Sequence, residues 1–354
     1  MEVPPGKTTM LAVVKDRAER GVRLEEIPVP AISPYEVLVR VGAAGICGSD
    51  QRIYHEVNPE KKPRRFVIGH EIAGEVVACG EQVHRFRPGA AVAIEICIGC
   101  AICKFCKIGH VNLCQKLEEL GVTMDGGMAE YVAVPERNLH SIPPGMSFVQ
   151  ATLADPLACV IRGLEMVRVE QGSWVAVLGP GQMGLLATQV VKRILKARVA
   201  VVGTRADRLL LAKDLGADAV VNLHEVDPVS AVRELTEGGA DYVFEAAGSA
   251  AALEQGIAMA RKGGAVVLLT VHKGVQVNME PAIRHELKLY GSICYNRREY
   301  EHALGLLSQG KVNVEPFVAH TFPLSRVEEA FDFVLSRRGV KAILIPGAGG
   351  GSQG

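Results

Sequence analysis

A short glycine-rich segment between two apolar stretches places the strongest limit on how this chain can fold. The segment Gly179-Pro180-Gly181-Gln182-Met183-Gly184 follows an apolar run ending at Leu178 and precedes an apolar run over residues 185–195. A strand, a G-x-G-x-x-G turn and a helix in this order are typical of a dinucleotide-binding unit. The glycines permit a tight turn, close approach of backbone N–H groups to a pyrophosphate, and close helix packing. We therefore expect this segment to bind a dinucleotide, although a glycine-rich turn in another α/β unit is the alternative.

The residues around this segment alternate between strand-like and helix-like patterns. The pattern predicts helices over residues 156–167, 206–215 and 250–260, and strands over residues 174–178, 199–202, 219–221, 243–246 and 265–270. Strands and helices that alternate at this spacing are typical of a doubly wound parallel sheet. The pattern marks a domain boundary near residue 155 clearly, but it does not mark where the domain ends.

The first 155 residues have a different pattern, with short apolar runs separated by Pro and Gly. Such runs cover residues 10–14, 35–41, 66–77 and 90–96, and they predict a barrel-like all-β fold. Gly69 and Gly74 inside the third run indicate a bulge or a close backbone approach. After residue 291 we expect a helix over residues 300–308, an extended stretch over 312–322 and a last helix over 326–336.

The end of the second predicted strand of the α/β region indicates which dinucleotide is bound. An NAD site usually places Asp or Glu about 20 residues after the glycines, where it bonds the ribose diol. This chain has Gly203, Thr204 and Arg205 there, which offer space, a hydroxyl and a guanidinium suited to a phosphate. These residues favour NADP over NAD. Two alternatives stay open: Asp207 could turn toward the ribose, and Arg205 could be a solvated turn residue.

Five of the nine cysteines fall within one short stretch, which argues for metal binding in a chain of this length. Four of them have the spacing C-x2-C-x2-C-x7-C and are Cys100, Cys103, Cys106 and Cys114. Four thiolates in one loop predict a closed tetrahedral zinc site in a lobe over about residues 97–115. The spacing differs from that of a bacterial iron–sulfur run. Redox thiols are a further alternative, and Cys97 could be a spare ligand.

A second group of metal ligands is spread along the first domain. Cys47 is one member, and the adjacent His70 and Glu71 are the others. Thiolate, imidazole and carboxylate are the ligand types of an open, catalytic zinc site. Taken singly, a cysteine is more often a small buried hydrophobe and a His-Glu pair is more often a surface accident. The combination of the three therefore carries the prediction.

Charge and hydropathy exclude several other classes of function. The chain has 39 Lys and Arg against 39 Asp and Glu, so it lacks the basic excess of a nucleic-acid-binding surface. No early stretch reads as a signal peptide, and the apolar runs are too short to span a bilayer. We therefore expect a cytoplasmic protein that binds neither nucleic acid nor a membrane.

Together these motifs resemble those of the medium-chain zinc-dependent alcohol and polyol dehydrogenases, in particular the sorbitol, threonine and butanediol dehydrogenase branch. Further matching segments are Cys47-Gly48-Ser49-Asp50, Asp155-Pro156-Leu157, Gly310-Lys311-Val312 and Phe322-Pro323-Leu324. The resemblance implies a GroES-like β-barrel catalytic domain over residues 1–155 and 292–346, a Rossmann nucleotide-binding domain over 156–291, and a flexible tail over 347–354. It also implies two zinc ions per chain and a homotetramer or homodimer.

The resemblance also implies roles for individual residues around the catalytic zinc. Cys47 and His70 are expected to bind the zinc, with Glu71 as a ligand or an exchanging carboxylate. Asp155 occupies the position where relatives carry a further ligand, often Glu, so the shorter side chain could bind directly or through a water. Ser49 matches the hydroxyl that relays the substrate proton.

The outer part of this proton relay differs from the pattern of the relatives. Arg52 stands where relatives often carry His, so solvent, the cofactor ribose or His55 could complete the relay. Some polyol-oxidising relatives hold the substrate with an Arg near the segment Cys294-Tyr295-Asn296, and this chain has none there. A sorbitol-like substrate is thereby less favoured, and no motif identifies another.

The expected function is the transfer of a hydride between NAD(P)(H) and a secondary alcohol or polyol, or its ketone, through a zinc-bound alkoxide. Zinc favours this alkoxide because it lowers the pKa of a bound oxygen. Two other functions remain as alternatives. One is a zinc-independent quinone or enoyl reductase on the same scaffold, and the other is a non-enzymatic cofactor-binding protein.

Overall fold

The structure is a computed structural model that describes residues 7–347, and the chain divides into two compact units. The first comprises the described chain up to Asp155, Asn296–Gln309 and the chain from Val314 onward. The second comprises Pro156–Tyr295 and Gly310–Asn313. The first unit thus resumes a few residues later than the predicted position 292. Of the predicted flexible tail, residues 348–354 lie outside the described residues.

The segment Gly310–Asn313 belongs to the second unit because its backbone is bonded to a buried side chain there. The Gln189 amide donates to the Asn313 carbonyl at 3.1 Å and accepts from the Asn313 backbone N–H at 2.7 Å. Such paired amide bonds satisfy backbone groups that would otherwise need water. The sequence pattern does not reveal a contact between residues this far apart in the chain.

Most of the first unit consists of two β-sheets. The strands of the unit are β1 (Thr9–Asp16), β2 (Arg23–Pro28), β3 (Glu36–Gly45), β4 (Arg65–Val67), β5 (Glu71–Cys79), β6 (Ala91–Ile94), β7 (Cys97–Ile98), β8 (Glu118–Glu119), β9 (Tyr131–Pro135), β10 (Leu139–Ser141), β17 (Thr321–Pro323) and β18 (Ile343–Ile345). One sheet has the order β2-β1-β4, and the other has the order β10-β6-β5-β3-β18-β17, with β9 also on β3. β7 and β8 form a separate hairpin. The C-terminal strand β18 thus pairs with the N-terminal part of the chain.

The apolar run over residues 66–77 forms two strands, β4 and β5, and the irregularity expected at Gly69 lies between them. The break contains Gly69, whose φ of 92° lies in the left-handed region that favours glycine. The bulge or close backbone approach expected at Gly74 is confirmed. It lies at a register shift between β3 and β5, and a Cβ there would be 2.2 Å from the carbonyl oxygen of Arg40.

The second unit contains a fully parallel sheet of six strands. They are β11 (Trp174–Leu178), β12 (Arg198–Gly203), β13 (Ala219–Asn222), β14 (Ala240–Glu245), β15 (Ala260–Leu268) and β16 (Lys288–Gly291). Their spatial order is β13-β12-β11-β14-β15-β16, which is the 3-2-1-4-5-6 order of dinucleotide-binding folds. The prediction of a doubly wound sheet is therefore confirmed. The strand order reverses between β11 and β14, and ligands bind such folds beside the carboxyl ends of these strands.

The structure contains the predicted helices and several others that the sequence pattern did not predict. They are α1 (Gly48–His55), α2 (Lys104–Lys107), α3 (Phe148–Ala151), α4 (Ala154–Met166), α5 (Gln182–Gln189), α6 (Ala206–Asp214), α7 (Pro228–Leu235), α8 (Ala250–Met259), α9 (Glu280–Arg284), α10 (Arg297–Ser308), α11 (Glu315–Val318) and α12 (Val327–Leu335). The predicted helix over residues 185–195 changes at Val190–Ile194 to a π-helical turn. The predicted extended stretch 312–322 contains α11, which tolerates Pro316 in its first turn. None of the helices described is long and apolar enough to cross a membrane.

Candidate functional site

The four predicted structural-zinc ligands lie together in the first unit. The Sγ atoms of Cys100, Cys103, Cys106 and Cys114 all lie within 4.8 Å of one another. The Sγ atoms of Cys103 and Cys114 are 3.9 Å apart. Four thiolates about 2.3 Å from a tetrahedral zinc would be about 3.8 Å apart, so this geometry fits a zinc ion.

Backbone N–H groups favour the thiolate forms of Cys100 and Cys103, whereas burial raises the pKa of the Cys106 thiol to about 12. The backbone N–H of Cys100 donates to Cys114 Sγ at 3.2 Å, and that of Cys103 donates to Cys100 Sγ at 3.4 Å. Backbone N–H groups of Cys106 and Gln115 lower the pKa of the Cys103 thiol to about 6. A thiol that is already a thiolate at neutral pH binds a metal without first losing a proton.

Cys47 and His70 lie close together, each directly before an element of secondary structure. Cys47 precedes α1, and His70 precedes β5 after the break at Gly69. The two side chains are within hydrogen-bonding reach of each other. Ser49 Oγ is 3.3 Å from His70 Nε2. The thiol, the imidazole nitrogen and the hydroxyl predicted for the catalytic site are thus brought together.

Asp50 lies beside this group, although the sequence reasoning assigned it no role. Its Oδ1 lies 3.6 Å from His70 Nδ1, and its Oδ2 accepts a hydrogen bond of 2.8 Å from the backbone N–H of Cys47. Asp50 is fully buried. No hydrogen bond joins Asp50 Oδ1 and His70 Nδ1, so Asp50 acts on the ring through its charge. A carboxylate three residues after a helix cap was the available sequence signal.

The pKa values at this site show that its negative groups favour a cation. Burial lowers the pKa of His70, but the Asp50 carboxylate and the Cys47 thiol outweigh burial and raise it well above its usual value. Burial raises the pKa of Asp50, although the nearby imidazole opposes the shift. Without a metal the imidazole therefore holds a proton strongly. A metal cation can take the place of that proton.

Glu71 is engaged in a buried ion pair with Lys341, a residue that the sequence reasoning missed. Both side chains are shielded from solvent, and Lys341 Nζ donates to Glu71 Oε2. Gly45 makes this contact possible, because a Cβ there would be 2.2 Å from Glu71 Oε2 and 2.8 Å from Lys341 Nζ. The expected ligand Glu71 thus has a protein cation as partner. The only sequence signal for Lys341 is a charge just before an apolar strand.

Asp155 lies near Cys47 and His70, but the three side chains do not form a compact set of metal ligands. It is buried in the first turn of α4, and it interacts electrostatically with both His70 and Tyr300. Within the described chain, the ligand atoms of Cys47, His70 and Asp155 do not all lie within 4.8 Å of one another. Cys47 and His70 are therefore in contact, and Asp155 lies near enough to act on His70 electrostatically.

A buried tyrosine adds a further polar group to these surroundings. The Tyr300 hydroxyl donates to the carbonyl oxygen of Ile94 at 3.1 Å. Burial, and then the nearby carboxylates Asp155 and Glu95, raise the pKa of Tyr300 well above its usual value. The hydroxyl therefore stays neutral and acts as a hydrogen-bond donor.

The glycines of the dinucleotide motif have the geometry that the motif requires. Gly179 follows β11 with a φ of 98°, and a Cβ there would be 2.9 Å from Ala247 Cα. A Cβ at Gly184 would be 2.1 Å from the carbonyl oxygen of Gly179, so only glycine lets α5 pack this closely. Gly181 caps α5 and has nothing within 4 Å of its Cβ position, which leaves space for a ligand. A pyrophosphate fits this arrangement.

The end of β12 differs in detail from the expectation. A Cβ at Gly203 would be 2.5 Å from Pro180 Cδ, so this glycine accommodates Pro180 rather than leaving room for a ligand. Arg205 precedes α6 and donates to both carboxylate oxygens of Asp207, at 3.0 and 2.7 Å. This contact lowers the pKa of the Asp207 carboxyl. Arg205 and Asp207, the two candidate determinants of cofactor choice, are therefore hydrogen-bonded to each other.

Comparison with known proteins identifies the family. Residues 33–144 match the family model "Alcohol dehydrogenase GroES-like domain", and residues 183–309 match "Zinc-binding dehydrogenase". A sorbitol dehydrogenase of Halalkalibacterium halodurans is 36% identical over 344 residues, covering 95% of this chain and 99% of the relative. This chain belongs to the zinc-binding medium-chain alcohol dehydrogenases. It is an oxidoreductase that transfers a hydride between NAD(P)(H) and an alcohol or its ketone, and no comparison supports the two alternatives.

Solved structures of the family bind either dinucleotide. A protein of Sinorhizobium meliloti 1021 described as a zinc-binding dehydrogenase, with NADP bound, has a TM-score of 0.89 and 32% identity, covering 96% of this chain and 100% of its own. An alcohol dehydrogenase from Escherichia coli CFT073 complexed with NADH has a TM-score of 0.87 and 28% identity, covering 96% and 99%. The family fold alone therefore does not decide the cofactor.

Replacing Lys341 with Met should destabilise the first unit, because it leaves the Glu71 carboxylate buried without its cation. The expected loss is about 3–5 kcal/mol in the free energy of unfolding, measured by denaturant titration of the zinc-loaded protein. The double variant Lys341→Met, Glu71→Leu removes both charges and should recover most of this loss. A single variant as stable as the native protein would show that Glu71 does not depend on Lys341.

Proposed function

We propose that this dehydrogenase oxidises a secondary alcohol or polyol, or reduces the matching ketone, with a zinc ion held by Cys47, His70 and Asp155. The observation that carries the proposal is the contact between Cys47 and a buried His70 whose other nitrogen faces Asp50. The sorbitol dehydrogenase relative supports a polyol or secondary alcohol as the substrate class. The ion pair with Lys341 favours Asp155 over Glu71 as the carboxylate ligand.

The residues around this zinc position have separate tasks. When bound, zinc supplies a Lewis acid that acidifies the substrate hydroxyl, and the nicotinamide supplies the hydride acceptor or donor. Asp50 places a negative charge beside His70 Nδ1 and, through its other oxygen, holds the backbone at Cys47. Ser49 Oγ, 3.3 Å from His70 Nε2, is placed to take up the substrate proton and pass it outward. Glu71 stays paired with Lys341.

A second zinc ion has a structural role in this proposal. The cysteine lobe contains short elements such as β7, β8 and α2, and its helix α2 has no buried residue. A lobe with so little apolar core is stabilised mainly by its metal. We therefore propose two zinc ions per chain, one held by the four cysteines of the lobe and one at the catalytic position.

Metal analysis and turnover together test the zinc assignments. Native protein should contain two zinc ions per chain and show absorbance changes at 340 nm with secondary alcohols, polyols, diols or hydroxy-amino acids. Cys47→Ala should retain one zinc ion and its thermal stability but lose turnover by on the order of 10³-fold, since Lewis-acid catalysis is worth several kcal/mol. Cys103→Ala should lose the other zinc ion and melt at a lower temperature. Native turnover in Cys47→Ala would refute the catalytic assignment.

We propose further that NADP is the preferred cofactor. No acidic residue stands at the end of β12, where an NAD site usually has one, and the guanidinium of Arg205 suits a 2′-phosphate. Asp207 now holds that guanidinium. A 2′-phosphate would replace the Asp207 carboxylate as the partner of Arg205.

Variants of this pair should shift cofactor preference in opposite directions. Arg205→Ala should lower kcat/KM for NADP by about 10–100-fold, the value of charge-assisted hydrogen bonds, and leave kcat/KM for NAD nearly unchanged. Asp207→Asn should raise the ratio of NADP to NAD use, because the guanidinium is then less strongly held. Arg198→Ala, at the other end of β12, serves as the control. Equal NADP kinetics in Arg205→Ala and native enzyme would contradict the preference.

We propose that the protein is a homo-oligomer with an interface at β16. This strand is the edge of the parallel sheet, and exposed apolar side chains lie on it and just before it. Leu289 is 40% exposed and Ile283 is 76% exposed. An exposed apolar edge strand usually pairs with another chain or is protected by charges.

A charge on this edge should disrupt the assembly. Light scattering during size exclusion should give a dimer or tetramer for the native protein and a smaller species for Leu289→Lys, because the lysine would be buried at the interface. Leu210→Lys changes a leucine that is 63% exposed on α6 and should leave the mass unchanged. A monomeric native protein, or a Leu289→Lys variant of native mass, would count against the interface.

A further inference from the structure

The carboxyl edge of the parallel sheet carries a buried polar cluster that the zinc chemistry does not use. Its centre is Glu245, the last residue of β14, whose side chain is fully buried. Glu245 Oε2 lies 2.7 Å from His272 Nε2 and also accepts from Thr270 Oγ1. Glu245 Oε1 accepts backbone N–H bonds of 2.8 Å from Ala247 and 2.7 Å from Gly248. Both carboxylate oxygens of Glu245 are thus satisfied within the protein.

This cluster lies beside the dinucleotide motif. Glu245 pairs in register with Leu178, the last residue of β11, and Gly179 of the motif follows directly. The backbone N–H of Ala246 donates to the Leu178 carbonyl at 2.9 Å. Between β11 and β14 the strand order reverses, which is where a dinucleotide lies in this fold. The cluster therefore borders the expected cofactor position.

One atom of the cluster lacks a partner. His272 Nδ1 is buried and has no hydrogen-bond partner, and its side chain is only 7% exposed. Buried polar atoms are nearly always hydrogen-bonded, so an orphaned one indicates a missing ligand or water. Glu245 Oε2 accepts a hydrogen bond from His272 Nε2 in the tautomer that carries its proton on Nε2. Nδ1 then presents a lone pair to a hydroxyl donor.

We infer that His272 is a cofactor-binding residue whose Nδ1 accepts a hydrogen bond from a ribose hydroxyl of the bound dinucleotide. Glu245 is the positioning residue, since it holds the ring by Nε2 and is itself held by Thr270 and two backbone N–H groups. A ribose hydroxyl fits because it can donate and because it lies within reach of the pyrophosphate site at Gly181. The inference requires a bound dinucleotide but is independent of the choice between NADP and NAD, which concerns the end of β12.

Direct binding to the zinc-loaded enzyme tests this contact without turnover. The measurement is the Kd of NADPH and of NADH, from cofactor fluorescence in the absence of substrate. His272→Gln places an amide near the Nε2 position, keeps a bond to Glu245 and removes the group at Nδ1. It should weaken both Kd values by about 5–10-fold, as expected for one neutral hydrogen bond. His272→Asn places an amide near Nδ1 and should bind within about threefold of the native enzyme.

A matched control comes from His285, whose Nδ1 also lacks a partner. His285 lies before β16, near the amino ends of the strands and away from the cofactor edge. His285→Gln should therefore leave both Kd values unchanged, and melting curves should show all three variants folded. An unchanged Kd in His272→Gln, or equal weakening in the Gln and Asn variants, would overturn the contact. Arg205 variants should change only the affinity for NADP, whereas His272→Gln should weaken both cofactors. The NADP preference and the His272 contact can therefore fail independently of each other.

Discussion

The buried ion pair between Glu71 and Lys341 joins the two ends of the chain in the first unit. Lys341 lies just before β18, which pairs with β3, and Glu71 begins β5, which pairs with β3 on its other side. Gly45 on β3 leaves the space in which the two side chains meet. A buried ion pair is tolerated only when both charged side chains are present and their geometry is good. The start of β5, and with it the neighbouring His70, is thereby tied to the C-terminal strand.

The proposed zinc ligands Cys47 and His70 share a structural principle. Cys47 precedes α1 and His70 precedes β5, so each stands where regular structure begins rather than within it. Asp50 couples the two, because it caps the helix at Cys47 and faces the ring of His70. The left-handed backbone at Gly69 turns the chain before His70. Secondary structure thus fixes the ligand positions through its termini, where backbone groups are available for side-chain bonds.

The second unit organises its site at the carboxyl ends of parallel strands. The glycine motif after β11, Arg205 after β12 and Glu245 at the end of β14 all lie at this edge. Each contributes a different chemistry: backbone donors, a guanidinium and an oriented imidazole. Arg205 and Glu245 are both held by nearby partners, Asp207 and the backbone at Gly248 among them. A side chain held in its binding orientation loses little entropy when the ligand arrives. Arg205, in contrast, must exchange Asp207 for its ligand.

The sequence by itself determined the family, the two fold types and the compact cysteine lobe, because these depend on local spacing and on periodic apolar runs. It also identified Cys47 and His70 as neighbours through their motifs. Tertiary structure alone decided the partner of Glu71, the contact between Arg205 and Asp207, and the packing of Gly203 against Pro180. The sequence indicated an irregularity at Gly69, but only the structure showed that the strand is interrupted there. Side-chain direction and pairing between distant segments depend on the folded chain, and therefore only the structure shows which charges face each other.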